Sequence, residues 1–327
     1  MKKIAVIGAG QIGSRHLQGL AKSNIEILIE VVDPSITARQ IALQRFREMP
    51  QNDNIKGINI YEKIQDLSDN LDLVIIATNA DVRFKVAYDL LKSKHVQYLV
   101  LEKVLFQTND EYYDMLNLLK LTNTKCWVNH ARRMFPFYKW LKDRLSKYKK
   151  IHLAVSGASW GLACNTLHFI DLIQYLTGEE NITIEDLTID TKYLDKSLYE
   201  SKRVGFKELG NLLVGKLKDN TFAISCFKEG TSPVLLNITS NDMNILIDES
   251  DGWYIIAEKD SRAVIKEEKI VYFQSELTSL LMQDIFSNSC VLPTYEQSFV
   301  IHSKFISSLI VHINSFSDFK YNFCPIT

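Results

Sequence analysis

The sequence predicts an α/β protein in two domains: a parallel sheet with helices on both faces, then an α+β domain built on a large, mostly antiparallel open sheet. Three observations predict it. A length of 327 residues is too long for one small domain and too short for four, which favours two and leaves one or three open. The first 130 residues alternate short β-branched apolar runs with longer stretches of helical period. From about residue 183 the chain becomes short strand-like pieces separated by turn signals.

The early runs are Ile4 to Ile7, Ile27 to Val32, Leu73 to Ala77, Val96 to Leu101 and Cys126 to Val128. They lack the in-out alternation of a half-exposed sheet, so helices cover both faces. The helices read as Gln11 to Lys22, Ile36 to Glu48, Asp81 to Lys92 and Asp110 to Leu121. Arg132 to Lys150 reads as a basic helix and connector, and Leu162 to Leu176 as a helix stopped by Gly178, a C-cap. The later pieces are Leu212 to Leu217, Phe222 to Phe227, Val234 to Ile238, Asn244 to Ile247, Gly252 to Ala257 and Ala263 to Ile265. Turns such as Lys218-Asp219-Asn220 and Ser240-Asn241-Asp242 divide them at short intervals, so neighbours are expected to pair antiparallel. The last long helix runs from Tyr295 to Asn314, and a tight boundary separates residues 1–128 from 129–327.

With 46% hydrophobic and 24% charged residues the chain can bury a core and is neither disordered nor collagenous. Lys and Arg (38) nearly cancel Asp and Glu (39), which leaves no long-range field for a nucleic acid or an anionic membrane. Five scattered cysteines, Cys126, Cys164, Cys226, Cys290 and Cys324, fit a reduced compartment and no zinc spacing, so no metal is expected. The apolar start is too short for a signal peptide core, and no run of about 18 apolar residues marks a membrane span. A cytoplasmic location is expected.

Directly after the first run stands Gly8-Ala9-Gly10-Gln11-Ile12-Gly13, a G-x-G-x-x-G that opens a helix. The first glycine permits a tight turn, the second lets backbone approach a pyrophosphate, and the third lets helix pack on strand. Asp33 follows the second run twenty residues past Gly13, where a carboxylate hydrogen-bonds the adenosine ribose and repels a 2'-phosphate. NAD is therefore expected over NADP, with Arg39 close enough to receive a phosphate instead. This is a Rossmann pattern. Leu101-Glu102-Lys103 puts a carboxylate and an ammonium at the sheet's carboxyl edge, where such folds bind ligands and where a surface ion pair is the alternative. Downstream, Cys164 and His168 are four apart and share a helix face, with Asp171 next to it. A histidine so placed is structural or catalytic on periodicity alone.

The ordered set of GAGQIG, Asp33, LEK at 101–103, RRMFP at 132–136, GLACNTLHFIDLIQYLTG at 161–178 and LPTYEQS at 292–298 resembles the glucose-fructose oxidoreductase and inositol dehydrogenase family, Gfo/Idh/MocA. The resemblance covers nearly the whole chain. It implies a Rossmann domain, a second domain whose open sheet mediates homodimers or homotetramers, and oxidation of a sugar or cyclitol hydroxyl by NAD(P). It gives Lys103 and His168 the catalytic roles, Lys103 at the reacting hydroxyl and His168 as acid or base. It sets Glu102 near the nicotinamide ribose, with Thr78 and Asn79 on the nicotinamide side. Oxidation of a carbinol needs a proton acceptor and a group that stabilises alkoxide, roles these two side chains can fill. Arg133, Trp160, Cys164 and Asn165 are then candidates for substrate binding; the alternatives for Arg133, Trp160 and Asn165 are a surface charge, a core aromatic and a helix-surface amide. The chain departs from the family pattern at Val104, where proline is usual, at Cys164, where aspartate is common, and at Asn79-Ala80 and Arg83.

The expected function is an NAD-dependent oxidoreductase for a sugar, amino sugar or nucleotide sugar, with Arg133 favouring an anionic one. Two alternatives are an NAD-retaining hydrolase or lyase that oxidises its sugar only transiently, and a noncatalytic NAD or sugar sensor.

Overall fold

The computed structural model describes residues 1–148 and 150–327; residue 149, inside the expected connector Arg132 to Lys150, lies outside the described residues. The chain divides into two compact units. The first comprises Met1–Phe106, Asp110–Met134 and Tyr272–Glu296, the second Gln107–Asn109, Phe135–Val271 and Gln297–Thr327.

In the first unit strands and helices alternate: β1 (Lys2–Ile7), α1 (Gln11–Leu20), β2 (Ile27–Val32), α2 (Ile36–Arg47), β3 (Ile55–Tyr61), β4 (Asn70–Ile76), α3 (Ala80–Ser93), β5 (His95–Leu101), α4 (Asn109–Thr122) and β6 (Lys125–Val128). The sheet is parallel throughout in the order β3-β2-β1-β4-β5-β6, so the chain reverses direction of travel between β1 and β4. Ile4, Ile29, Leu73, Val74, Leu99 and Val100 are wholly buried, as two-sided helix cover requires. β3 was not among the expected runs. It is the edge strand, none of its residues is fully buried, and Lys56 and Gly57 interrupt its apolar sequence.

The second unit contains α5 (Pro136–Leu145), β7 (His152–Ser156), α6 (Leu162–Thr177), β8 (Leu187–Asp190), a small hairpin β9 (Tyr199–Glu200) and β10 (Lys207–Glu208), and then β11 (Asn211–Leu217), β12 (Asn220–Cys226), β13 (Leu235–Thr239), β14 (Met243–Asp248), β15 (Trp253–Glu258) and β16 (Val264–Glu267). Its eight-stranded sheet runs β16-β15-β14-β13-β7-β12-β11-β8. All pairs are antiparallel except β7 with β12, in keeping with the mostly antiparallel sheet expected for this half. β7 enters the sheet before α6 and the strands beside it come later, so it is inserted between β13 and β12 rather than joined to either by a turn. The basic helix expected from Arg132 is shorter: Ala131–Met134 is a 3₁₀ turn, and Pro136 at the first position of α5 starts a new helix.

Two late helices complete the chain. α7 (Gln274–Phe286) returns to the first unit, where it packs along α1. Its spacing lay hidden among polar residues. Gly19 is the contact: a Cβ there would stand 2.7 Å from the Thr278 Cβ. α8 (Tyr295–Phe316) has, at 22 residues, the length and composition of a membrane span, but Ile301, Phe305, Ile306, Leu309 and Ile313 are buried in protein, as in a core helix.

Gly19→Val should therefore lower the unfolding free energy by about 1–3 kcal/mol, the usual cost of overpacking. Equilibrium urea denaturation checks this, and an unchanged midpoint would remove α7 from the core of the first unit.

Candidate functional site

In the first unit the glycine turn lies between the ends of β1 and β4. Gly8 has φ +94°, and a Cβ on it would approach the Ala77 carbonyl carbon and the Thr78 nitrogen at 2.9 Å. A Cβ on Gly13 would lie 1.7 Å from the Gly8 oxygen. A Cβ on Gly10 meets nothing within 4 Å, so the loop is open on that side. Gly10 is the N-cap of α1, no side chain caps that helix, and its first turn carries no acidic residue. Its leading N–H groups and positive dipole end are thus left for an anion. Gln11 and Ile12 are exposed on this turn, with the Gln11 Oε1 accepting from Arg45 at 2.9 Å.

Asp33 ends β2 beside this turn. Its Oδ2 accepts the Ala9 N–H at 2.7 Å and its Oδ1 the Ser35 N–H at 2.8 Å, which fixes the carboxylate's orientation. Arg39 is folded back to donate to the Asp33 carbonyl at 2.5 Å. At the end of β4, Thr78 carries a buried Oγ1 without a hydrogen-bond partner, and Asn79 is the exposed N-cap of α3. Open glycine backbone, an uncapped helix start, an oriented carboxylate and an orphan hydroxyl together fit a dinucleotide.

Glu102, after β5, is tied into a closed polar network of the first unit. Its Oε1 accepts His16 Nε2 at 3.0 Å and Asn129 Nδ2 at 2.5 Å. The fully buried His16 bonds through Nδ1 to Thr278 Oγ1 at 3.0 Å, and Gln274 joins Asn129 to Thr278 at 2.9 and 3.1 Å. Burial raises the Glu102 pKa, but the bonds from His16 and Asn129 and the charge of Arg83 outweigh it, so the group titrates below the ordinary glutamate value. His16, Asn129, Gln274 and Thr278 escaped sequence reasoning. A histidine on the buried face of α1, three residues past Gly13, was the only signal, and its partner Thr278 lies 262 residues away.

Lys103 is half-buried and its bond to Val104 is cis without a proline. Buried Arg83 donates to the carbonyls of Val104 and Leu105 and to that of Thr78, linking the Lys103 segment to the loop after β4. His130, wholly buried, is held well below the ordinary histidine pKa by burial and then by the charges of Arg133 and Lys103, against the opposing charge of Glu102. Arg133 is buried in the 3₁₀ turn after β6.

In the second unit α6 carries Cys164, Asn165 and His168, all half-buried in its first two turns. The Asn165 amide donates to the Trp160 and Gly161 carbonyls at 2.8 and 3.0 Å, stitching the entry turn. Trp160 Nε1 donates to the Ser225 carbonyl at 3.2 Å, and its ring stands edge-on to Phe169. Both residues thus brace the helix start. Glu208, missed in the sequence, accepts the Ala163 and Cys164 N–H groups at 2.8 and 3.2 Å. Among the described residues, no group of three or more His, Cys, Asp or Glu could hold a metal.

An open glycine turn at β1, a strand-end acid and a parallel six-stranded sheet define the first unit as an NAD-binding Rossmann domain. Residues 2–130 match the Gfo/Idh/MocA family, an oxidoreductase family with an NAD-binding Rossmann fold. No curated protein matches the sequence. Among solved structures the fold is shared with a super-repressor mutant of Gal80p from Saccharomyces cerevisiae, at 14% identity and TM-score 0.72 over 97% of each chain. It is shared also with a dehydrogenase from Clostridium difficile, at 18% identity and TM-score 0.67 over 95% of this chain and 99% of that one. A third is UDP-N-acetylglucosamine 3-dehydrogenase from Acidithiobacillus ferrooxidans, at 14% identity and TM-score 0.65 over 96% and 98%.

A carboxyl held below its unfolded pKa contributes stability above that value and loses it as pH falls through the folded one. Glu102→Gln should therefore cost about 1–3 kcal/mol in urea unfolding at about pH 7, and the deficit should narrow below the ordinary value of 4.5. An equal deficit at about pH 7 and about pH 3.5 would show that the network does not depend on the charge.

Proposed function

We propose that the chain is an NAD-dependent oxidoreductase that oxidises a hydroxyl, or reduces the matching carbonyl, of a sugar, amino sugar or nucleotide sugar. The observation that carries this reading is the open glycine turn with the oriented Asp33 carboxylate beside it. Gly8, Gly10 and Gly13 would hold the pyrophosphate on the α1 dipole, and Asp33 the adenosine ribose. The Asp33 carboxylate opposes a 2'-phosphate and Arg39 is drawn back onto the Asp33 carbonyl, which favours NAD over NADP. Thr78, Asn79 and Glu102 are assigned to the nicotinamide side. Bound NAD supplies a hydride acceptor.

The protein's own part is proton handling and positioning. Lys103 Nζ is assigned to stabilise the developing alkoxide and the His168 imidazole to accept or return its proton. Arg133, with Lys103 and Arg132 near enough to depress His130, makes the first unit's contribution cationic and supports an anionic substrate. The fold shared with a UDP-N-acetylglucosamine 3-dehydrogenase supports a nucleotide sugar within that class. The fold shared with Gal80p favours, as a second reading, a noncatalytic sensor with the same two ligand-binding halves.

A homo-oligomer is proposed through the open sheet face. In one cross-strand row, Ile255, Leu246, Asn237, Ala154, Ala223 and Val214 stand half-buried side by side. The Asn237 Oδ1 in its middle is buried without a hydrogen-bond partner, a cost that a second copy can relieve.

NADH absorbance against a panel of sugars, sugar acids and nucleotide sugars tests the activity. Lys103→Ala and His168→Ala should each lower kcat by about 10²-fold or more while leaving NAD affinity within a few-fold. NAD binding with no turnover on any sugar supports the sensor, product formed without NADH supports the transient-oxidation hydrolase or lyase, and no NAD binding sinks all three. Leu246→Lys should shift the mass seen in light scattering to that of one chain, and a monomeric wild type would overturn the oligomer.

A further inference from the structure

α6 begins without a cap of its own. Gly161 occupies the N-cap with φ +77° and has no side chain to offer, yet the helix carries Cys164, Asn165 and His168. The missing oxygens come from another element. The β9–β10 hairpin sends Glu208 to the turn, where Oε2 accepts the Ala163 N–H at 2.8 Å and Oε1 the Cys164 N–H at 3.2 Å. A Cβ at position 161 would lie 3.0 Å from Glu208 Oε1 and 3.1 Å from Cys164 Sγ, a tight fit that, with the positive φ, favours glycine at this approach. The Cys164 thiol donates to the Gly161 carbonyl at 3.5 Å and lies beside the Glu208 carboxylate, close enough to lower its pKa, while Asn165 Nδ2 donates to the sulfur at 3.3 Å. Glu208 is 3% exposed. A second tether, Lys202 Nζ to the Ser159 carbonyl at 3.0 Å, ties the same hairpin to the same turn.

The geometry points to Glu208 as a positioning residue of the second unit's half-site, acting through Cys164: its carboxylate keeps the thiol a neutral hydrogen-bond donor and fixes the turn that leads to His168. This rests on the reading of α6 as the helix that handles the substrate's proton. A carboxylate beside a thiol disfavours the thiolate, since two negative charges would share one buried site. The other titratable groups facing Glu208 are Tyr199 on β9 and Cys324 near the C-terminus, both burdened by its charge, while Asp195 and Cys226 also face Tyr199. Burial pushes the Glu208 pKa upward and the donated hydrogen bonds pull against that rise.

The test reads Cys164 directly and needs no turnover. Iodoacetamide alkylation of the Cys164 peptide is followed by mass spectrometry against pH in wild type, Glu208→Gln and Glu208→Asp. Loss of the charge in Glu208→Gln should lower the midpoint by about one pH unit, a tenfold gain in rate below it, with the same plateau at high pH. Glu208→Asp, which keeps the charge, should return the midpoint toward wild type. A plateau that rises with an unmoved midpoint would mean a frayed helix only and overturn the proposal, as would identical curves. In parallel, the pH profile of kcat/KM should shift in Glu208→Gln. An inactive wild type with a shifted thiol midpoint rejects the oxidoreductase reading and keeps the Glu208–Cys164 coupling. An active wild type with unmoved curves rejects only this inference.

Discussion

The first unit depends on one close crossing of backbone. The turn from β1 into α1 passes so near the end of β4 that a Cβ on Gly13 would overlap the Gly8 oxygen, and one on Gly8 would press on Ala77 and Thr78. Two of the three glycines are therefore demanded by the protein itself, before any ligand is considered. Only Gly10, whose Cβ direction is empty, is left to be explained by what approaches from outside. The same crossing sets α1 down on the sheet, brings Ala9 to the Asp33 carboxylate, and turns the helix start toward the carboxyl edge of the strands.

From that anchor a polar network spreads through the unit. His16 leaves α1 on its buried face and meets Glu102 after β5, which meets Asn129 after β6, while α7 closes the ring through Gln274 and Thr278. Apart from the Asn129 Oδ1, which is buried without a partner, the members supply one another's hydrogen bonds, so the ring resists being rearranged one side chain at a time. Lys103 follows Glu102 directly and Arg83 grips the carbonyls beyond it, so the segment that carries the lysine is held from both ends. Val104 stands where the resemblance leads one to expect proline, and the Arg83 guanidinium holds the carbonyls there.

Much of this was legible in the sequence because it is local. The buried strands of the first sheet are short apolar runs, the glycine turn has a fixed spacing, and Gly178 ends α6 in the left-handed conformation expected of a C-cap. β3 was not, because an edge strand carries no such run. α7 was not, because its apolar positions are diluted by Gln274, Ser275, Glu276, Thr278 and Ser279; of these, Thr278 meets His16 on α1 and Ser279 the Lys22 carbonyl just past that helix, both far away in sequence. The site divides the same way. Asp33 and Cys164-x-x-x-His168 were visible as spacings, whereas the carboxylate at the start of α6 arrives from Glu208, 44 and 45 residues downstream of the amides it binds. Spacing reveals what one element does alone; it is blind to a side chain delivered from another.

The first unit is also not a continuous stretch of chain. It opens at Met1, is interrupted after Met134, and is finished by Tyr272–Glu296, which includes the helix against Gly19 and half of the ring around Glu102. During synthesis from the N-terminus, its parallel sheet can form while His16 still lacks Thr278, and the ring closes only after most of the second unit's chain has been made. A fragment cut near residue 130, where the match to the NAD-binding family ends, would hold the glycine turn, Asp33 and Glu102 with His16 and Asn129, but not Gln274 and Thr278, which close the ring behind them. The natural cassette for transplanting this nucleotide-binding unit is consequently two pieces of chain joined, not one.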